Sequence, residues 1–322
     1  MSEFRIILNS TLIHNLINIP VTFIIQSTYK RQPIKSNTML EFTTIANAKR
    51  QTGLSYLGGV SKSAKIMHSQ KYSHQYTYAI YLAPANVSGY NVCSHATKEC
   101  KMGCLNTSGR AGIEEFSGKT KIHDARVKKT RLFFEHNEFF MNWLVAEIKQ
   151  AQLKAIKDNF FFSVRLNATS DIDWSNIFLN NLNIFEIFPE ISFYDYTKNY
   201  NKFEYKASNY HLTYSYTGRN IDQCLNLLKR GYNVAVVFNV KHETELPKYF
   251  MNYPVINGDL TDARFLDQSP CIVGLKWKRI ANRKAEKQVL NSCFVVNPLT
   301  DKRCSNVPMN VQVENINELV MV

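Results

Sequence analysis

A chain of 322 residues is long enough for one large α/β domain or two small ones. Its 45% hydrophobic and 20% charged residues are an ordinary globular composition able to bury a sizeable core, and seven cysteines, an odd number, do not look like a secreted disulfide framework. The net charge of +13 points to an acidic partner, nucleic acid being the usual one, against the plainer reading of a generally basic protein.

Residues 1–38 differ from the rest. Their apolar stretch at 12–25 is broken by His14, Asn15, Asn18 and Pro20 and has no small-residue cleavage site. No apolar run in the chain reaches the roughly 20 residues of a spanning helix, so no membrane association is expected. Met39-Leu40-Glu41-Phe42 makes a plausible second start, and the first 38 residues read as an upstream extension outside the fold. A reducing cytoplasm suits the cysteine usage.

Residues 51–75, with Gly53, Gly58 and Gly59, read as loop. An apolar run at 76–83 reads as a buried strand, and after it comes the segment 90–110 with Cys93, Cys100 and Cys104 spaced C-x6-C-x3-C. Thiols gathered this way can converge on one metal centre. Three thiolates with an open position suit an iron–sulfur cluster, whereas structural zinc normally takes four ligands. Zinc would need His95 as its fourth, a tight spacing only two residues from Cys93. Cys224, Cys271, Cys293 and Cys304 read as lying outside this centre.

Apolar residues at helical spacing predict one helix over 122–157, with Lys128, Lys129 and Arg131 near its start as candidate phosphate contacts or a solvated basic face. Short strands follow at 160–166, 191–196, 210–216, 233–238, 255–256 and 271–275, with an amphipathic helix at 221–230 ended by Gly231. This alternation predicts a single β/α domain over residues 39–285, a complete or partial parallel barrel, with 286–322 as a C-terminal tail. Lys276, Lys278 and Arg279 lie in the most basic segment and are further nucleic-acid candidates.

The carboxyl ends of parallel strands are where such folds place function. Here they carry Arg165, Asn167, Ser170, Asp171, Asp195, Lys198, Ser215, Asn239 and Asp259. Burying such groups unpartnered costs several kcal/mol each. They are therefore expected to line a substrate or cofactor pocket, or to pair with one another in a network closing the mouth. No Ser-His-Asp, phosphate-loop or HExxH pattern occurs.

The cysteine loop followed by Leu105-Asn106-Thr107-Ser108-Gly109-Arg110, then Thr130-Arg131-Leu132-Phe133-Phe134, Arg165-Leu166-Asn167-Ala168-Thr169-Ser170-Asp171-Ile172, Phe193-Tyr194-Asp195-Tyr196-Thr197-Lys198 and Asn233-Val234-Ala235-Val236-Val237-Phe238, resembles the bacteriophage gene product 88 family. The likeness runs over roughly residues 52–278. It implies a phage, prophage or plasmid origin, hence the host cytoplasm, and brings no activity with it. The layout is also similar to radical S-adenosylmethionine enzymes, where a three-cysteine loop after the first barrel strand holds a [4Fe–4S] cluster. That likeness implies a cluster on Cys93, Cys100 and Cys104, S-adenosylmethionine on the open iron, and a substrate at the strand ends. The spacing departs from that superfamily's usual C-x3-C-x2-C. Two other readings stay open: a basic zinc-stabilised nucleic-acid-binding protein without catalysis, and a basic DNA-associated protein whose cysteines are incidental.

Overall fold

The computed structural model describes residues 40–60, 64–104, 121–205, 207–280 and 282–306. The expected extension 1–38, residues 105–110 of the cysteine segment and the last part of the expected tail lie outside these described residues. From Leu40 onward the chain makes one compact unit.

Helix α1 (Ile45–Thr52) opens on Thr44, whose hydroxyl accepts from Asn47 N at 3.1 Å. It closes on Gly53, whose φ of +68° is open to glycine without strain. The stretch expected as loop at 51–75 instead holds strand β1 (Gly58–Val60) and helix α2 (Ala64–Ser73). A three-residue strand has no readable period. Strand β2 (Gln75–Ile80) follows, then α3 (Lys98–Met102), α4 (Lys121–Glu135) and α5 (Asn137–Lys157). The single helix expected over 122–157 is two, broken at His136 (φ −138°, ψ 59°). The Asn137 side chain donates to Phe133 O at 3.2 Å and covers part of the interrupted ladder.

Strands β3 (Phe161–Arg165), β4 (Phe178–Leu179) and β5 (Leu182–Asn183) come next, then helix α6 (Ile184–Ile187) and strands β6 (Ser192–Thr197) and β7 (Tyr210–Ser215). Helix α7 (Ile221–Lys229) leads to β8 (Asn233–Phe238), β9 (Tyr249–Phe250), β10 (Tyr253–Asn257) and β11 (Ile272–Lys276). The described chain ends with α8 (Arg283–Leu290), β12 (Val295–Val296) and β13 (Cys304–Ser305).

One large sheet runs β1-β2-β3-β6-β7-β8-β11-β10-β9-β13, with β12 paired to β8. Every pairing from β2 through to β10 is parallel, while β1, β9 and β13 add antiparallel edges. The run β2 to β8 lies in chain order, as successive β/α units dictate. The sheet ends on β1 and β13, so no closed barrel forms among the described residues.

Residues 286–306, expected in a tail, belong to the fold. Strand β8 pairs with β7 along Asn233–Ala235 and with β12 at Val237 and Phe238, so β12 takes over where β7 departs. Two tight hairpins explain the short strands that lack period. Asn180-Asn181 (φ 51° and 65°) joins β4 to β5, and Met251-Asn252 (φ 53° and 68°) joins β9 to β10.

Alternate residues of the strands face two layers. Tyr78, Ile80, Val164 and Phe193 pack against Phe140, Trp143, Leu144 and Ile148 of α5, and Tyr214, Val234, Val236 and Ile272 against Leu227 and Leu228 of α7. The other face is covered from within the chain by α2 and the segment after β10. Asp262, fully buried, accepts from Arg165 Nη1 at 2.8 Å and Tyr194 Oη at 3.0 Å, and its N–H donates to Ser69 Oγ at 2.6 Å. Phe265 packs beside Tyr194 and His211.

A second buried carboxylate fixes the β1 edge. Glu147 of α5 accepts from Leu57 N (3.0 Å), Gly58 N (3.0 Å) and Tyr78 Oη (2.7 Å). Its charge also supports the buried Lys129 ammonium. Glu147→Ala leaves three donors without their acceptor and a buried cation without its nearby counter-charge, and is expected to cost about 3–5 kcal/mol. A urea midpoint shift read beside exposed Lys149→Ala, expected within about 0.5 kcal/mol of the parent, checks it.

Candidate functional site

Past β2 the chain runs over the carboxyl ends of the strands. Ala83 N donates to Thr130 Oγ1 of α4 at 2.9 Å, and a turn at 84–89 brings Val92 N back to Ala85 O at 3.1 Å. Val92 is buried, and its carbonyl accepts from Asp171 N at 2.7 Å, so Cys93 is seated against the loop after β3. The Cys93 thiol accepts from Ala85 N at 3.5 Å and lies 4.0 Å from Thr169 O. Burial pushes this thiol up to about 11, with Asp171, Cys104 and Cys100 adding in the same direction against the Ala85 N–H.

Thr97 caps α3 by accepting from Cys100 N at 3.2 Å. The helix then crosses to the far side of the mouth. Cys100 and Met102 pack with Trp277, Val289, Leu290, Phe294 and Val295, so the loop leaving β2 docks on the segment after β11 and on α8. Gly103 is required there, since a Cβ would lie 2.9 Å from the Trp277 ring. That ring is in turn fixed by Nε1 donating to Glu286 Oε1 at 3.2 Å.

Among the described residues no group of three or more His, Cys, Asp or Glu is set to hold a metal ion. The donor set fits a thiolate-held centre by its chemistry: three partly exposed cysteines outside any disulfide on one short segment, near enough for Cys100 and Cys104 to act on Cys93. His95 is exposed, with Nδ1 2.9 Å from Ser94 Oγ. Cys224 and Cys271 are buried in apolar clusters.

The polar strand ends mostly engage one another. Asn167 donates through N and Nδ2 to the two oxygens of Asp195 (2.8 and 3.1 Å), while its Oδ1 accepts from Ser170 Oγ (2.8 Å), Ile172 N (2.9 Å) and Trp174 Nε1 (3.2 Å). Asp171 accepts from Thr197 Oγ1 (2.7 Å), Lys198 N (2.9 Å) and the buried Lys202 ammonium (2.7 Å). Burial would raise the Asp171 carboxyl, but Lys202 and these bonds hold it below the usual range.

Arg165 lies over the Tyr196 ring at 5.0 Å and pairs with Asp262. Burial opposes its charge, yet Asp262 and the nearby tyrosines raise it above the ordinary arginine value. Since Tyr194 shares Asp262 with Arg165, neighbouring Asp195 points to the opposite face of β6. Arg165 and Asp195 therefore do not share one pocket. Asp259 ties the β10 loop to β11, accepting from Lys276 N at 2.8 Å and facing Lys278 Nζ at 3.4 Å. Ser215 is buried and gives its carbonyl to Asn220 Nδ2 at 3.0 Å; Asn239 is exposed and its N–H donates to Val296 O at 2.8 Å.

Of the basic candidates, Lys129 is buried over the Tyr56 ring at 4.4 Å and cannot reach a nucleic-acid backbone. Burial pushes it down to about 8, Arg126 adding and Glu147 opposing. Arg131 donates through Nε to Ser88 O at 3.1 Å, Lys276 pairs with Glu243, and Lys128 and Arg279 are exposed. Sequence reasoning missed Lys202 and left Asp262 and Trp277 out of the candidate residues. Asp262 stood in the same polar run as Asp259, but its role depends on partners far away in the chain.

Burial pushes Asp195 up to about 7 despite Lys202, Arg165 and the Asn167 bonds. In the unfolded chain the carboxyl titrates near 3.9. The native state therefore binds the extra proton between those values, and its contribution falls as pH rises through them, by up to about 1.4 kcal/mol per pH unit. Unfolding free energies at pH 5 and pH 7 are expected to fall more steeply in the parent than in Asp195→Asn.

No curated protein and no solved structure matches this chain. The family model described as gene product 88 matches residues 42–291. That span carries α1 through α8, the thiol loop and the paired strand ends, most of the chain; the chain belongs to the gene product 88 family.

Proposed function

We propose that this chain is an iron–sulfur enzyme of radical S-adenosylmethionine-like layout, with Cys93, Cys100 and Cys104 holding the cluster. The observation that carries the reading is the path of the thiol loop. It leaves the first parallel strand, crosses the carboxyl mouth of strands laid in chain order, and docks on Trp277 after β11. A cluster with one open iron supplies one-electron reduction of S-adenosylmethionine when bound.

The chain's own residues build the surroundings. Asp171, Lys202 and Asn167 fasten the loop after β3 beneath Cys93, so that thiol is positioned by a rigid network. Gly103 and Trp277 hold α3 down, with Cys100 packed against the segment after β11 and α8. Among the described residues the Lys198 ammonium and the Asn239 side-chain amide make no hydrogen bond, which leaves them for substrate at this end.

Protein purified without oxygen is expected to be brown, with broad visible absorption and iron matched by acid-labile sulfide. Single Cys→Ala changes at 93, 100 and 104 should each remove iron and sulfide, while Cys224→Ala should keep both. Full iron content in Cys100→Ala, or one zinc with no sulfide in the parent, sinks the reading.

A further inference from the structure

We propose that the substrate brought to this mouth is a nucleic acid, gripped through its phosphates by a basic collar where α3 docks on α8. The proposal rests on the thiol loop being the reactive end of the molecule, and what it adds is the partner. The two helices meet through Cys100, Met102, Val289 and Leu290, with Trp277 packed between.

Charge is sorted across this joint. The acids turn inward: Glu99 is partly buried and faces Arg219 at 3.7 Å, and Glu286 is buried, accepting from Trp277 Nε1 at 3.2 Å and Arg283 Nη1 at 2.8 Å. The cations turn outward: Lys98 and Lys101 on α3, and Lys284 and Lys287 on α8, are all exposed, with Arg279 on the segment leading into α8. Each lysine pair stands three residues apart on one helix, hence one turn apart on one face. A phosphate backbone can therefore lie along both helices, flanking Cys100 and Cys104.

Not every cation is open to such a partner: Lys129 is buried, and Arg165, Lys202 and Arg264 sit in ion pairs with their side chains largely covered. Exposed lysines on α1, α5 and α7 do not flank the thiols and serve as the comparison. An anionic membrane surface is disfavoured, because neither α3 nor α8 exposes a large hydrophobic side chain and surface-lying helices insert one.

The test is fluorescence anisotropy of a labelled 20-nucleotide DNA, single-stranded and duplex, between 50 and 200 mM salt. Full-length parent is compared with a collar variant (Lys98→Glu, Lys101→Glu, Lys284→Glu, Lys287→Glu). An equal-charge control reverses Lys49, Lys149, Lys157 and Lys229, exposed on α1, α5 and α7. Thermal melts and iron content are read on each. The collar variant is expected to keep its melt and iron and lose affinity at least tenfold, with a shallower salt dependence, while the control stays within about threefold. Equal losses in both variants, no DNA binding by the parent, or tighter binding to anionic vesicles than to DNA overturns the collar. Cys100→Ala separates the two claims. DNA binding without iron in that variant leaves the collar standing whatever becomes of the enzyme reading.

Discussion

Asp262 is the constraint on which this fold turns. In the strand order, β10 stands five places from β3, which in a flat sheet is about 24 Å at the usual strand spacing. The chain from the end of β10 to Asp262 spans only about 17 Å when fully extended. Yet Asp262 Oδ2 is 2.8 Å from Arg165 at the end of β3. With the reach of the Arg165 side chain added the distance can just be bridged, so the segment after β10 must run nearly straight across the sheet's inner face for that bond to exist. Tyr194 and Ser69 meet the same residue, so the first third of the domain is pinned to the last by one buried aspartate. Breaking a buried pair of this kind is costly, because the arginine is left without compensation.

Contacts among the loops decide what the carboxyl ends can do. Loops after β2, β3, β7 and β11 are brought round a common mouth instead of being strung along an edge. Most of their polar groups are then consumed in holding the loops together: Asn167 with Asp195, Asp171 with Lys202, Asp259 with Lys276 and Lys278. Cys93 is seated against this network, whereas Cys100 rides on α3, which is held down by apolar contact.

The parallel core was legible because β2, β3, β6, β7, β8 and β11 are covered on both faces and read as apolar runs. Short edge strands were not, since two or three residues cannot display a period. Asn180-Asn181 was a visible hairpin signal all the same. Of the site, the cysteine loop was legible from composition, and the polar strand ends from their cost of burial. Which of them pair was hidden. Asn167 could not announce Asp195, nor Asp171 announce Lys202, because a single sequence carries no record of cross-strand neighbours. Lys129 misled for a related reason: a lysine beside three other cations reads as surface until Tyr56 and Glu147 are found around it.

The docking of the thiol loop on Trp277 and α8 has a consequence for biosynthesis. Cys100 is made early, while the surface that seats it, ending at Val295, is made roughly 190 residues later. At ribosomal rates of about 5–20 residues per second, the Cys100 thiol waits some 10–40 s for its packing partners. During that interval it is exposed on a nascent chain, where oxidation or capture by stray metal competes with correct seating. A truncation before α8 therefore leaves Cys100 without the surface that seats it.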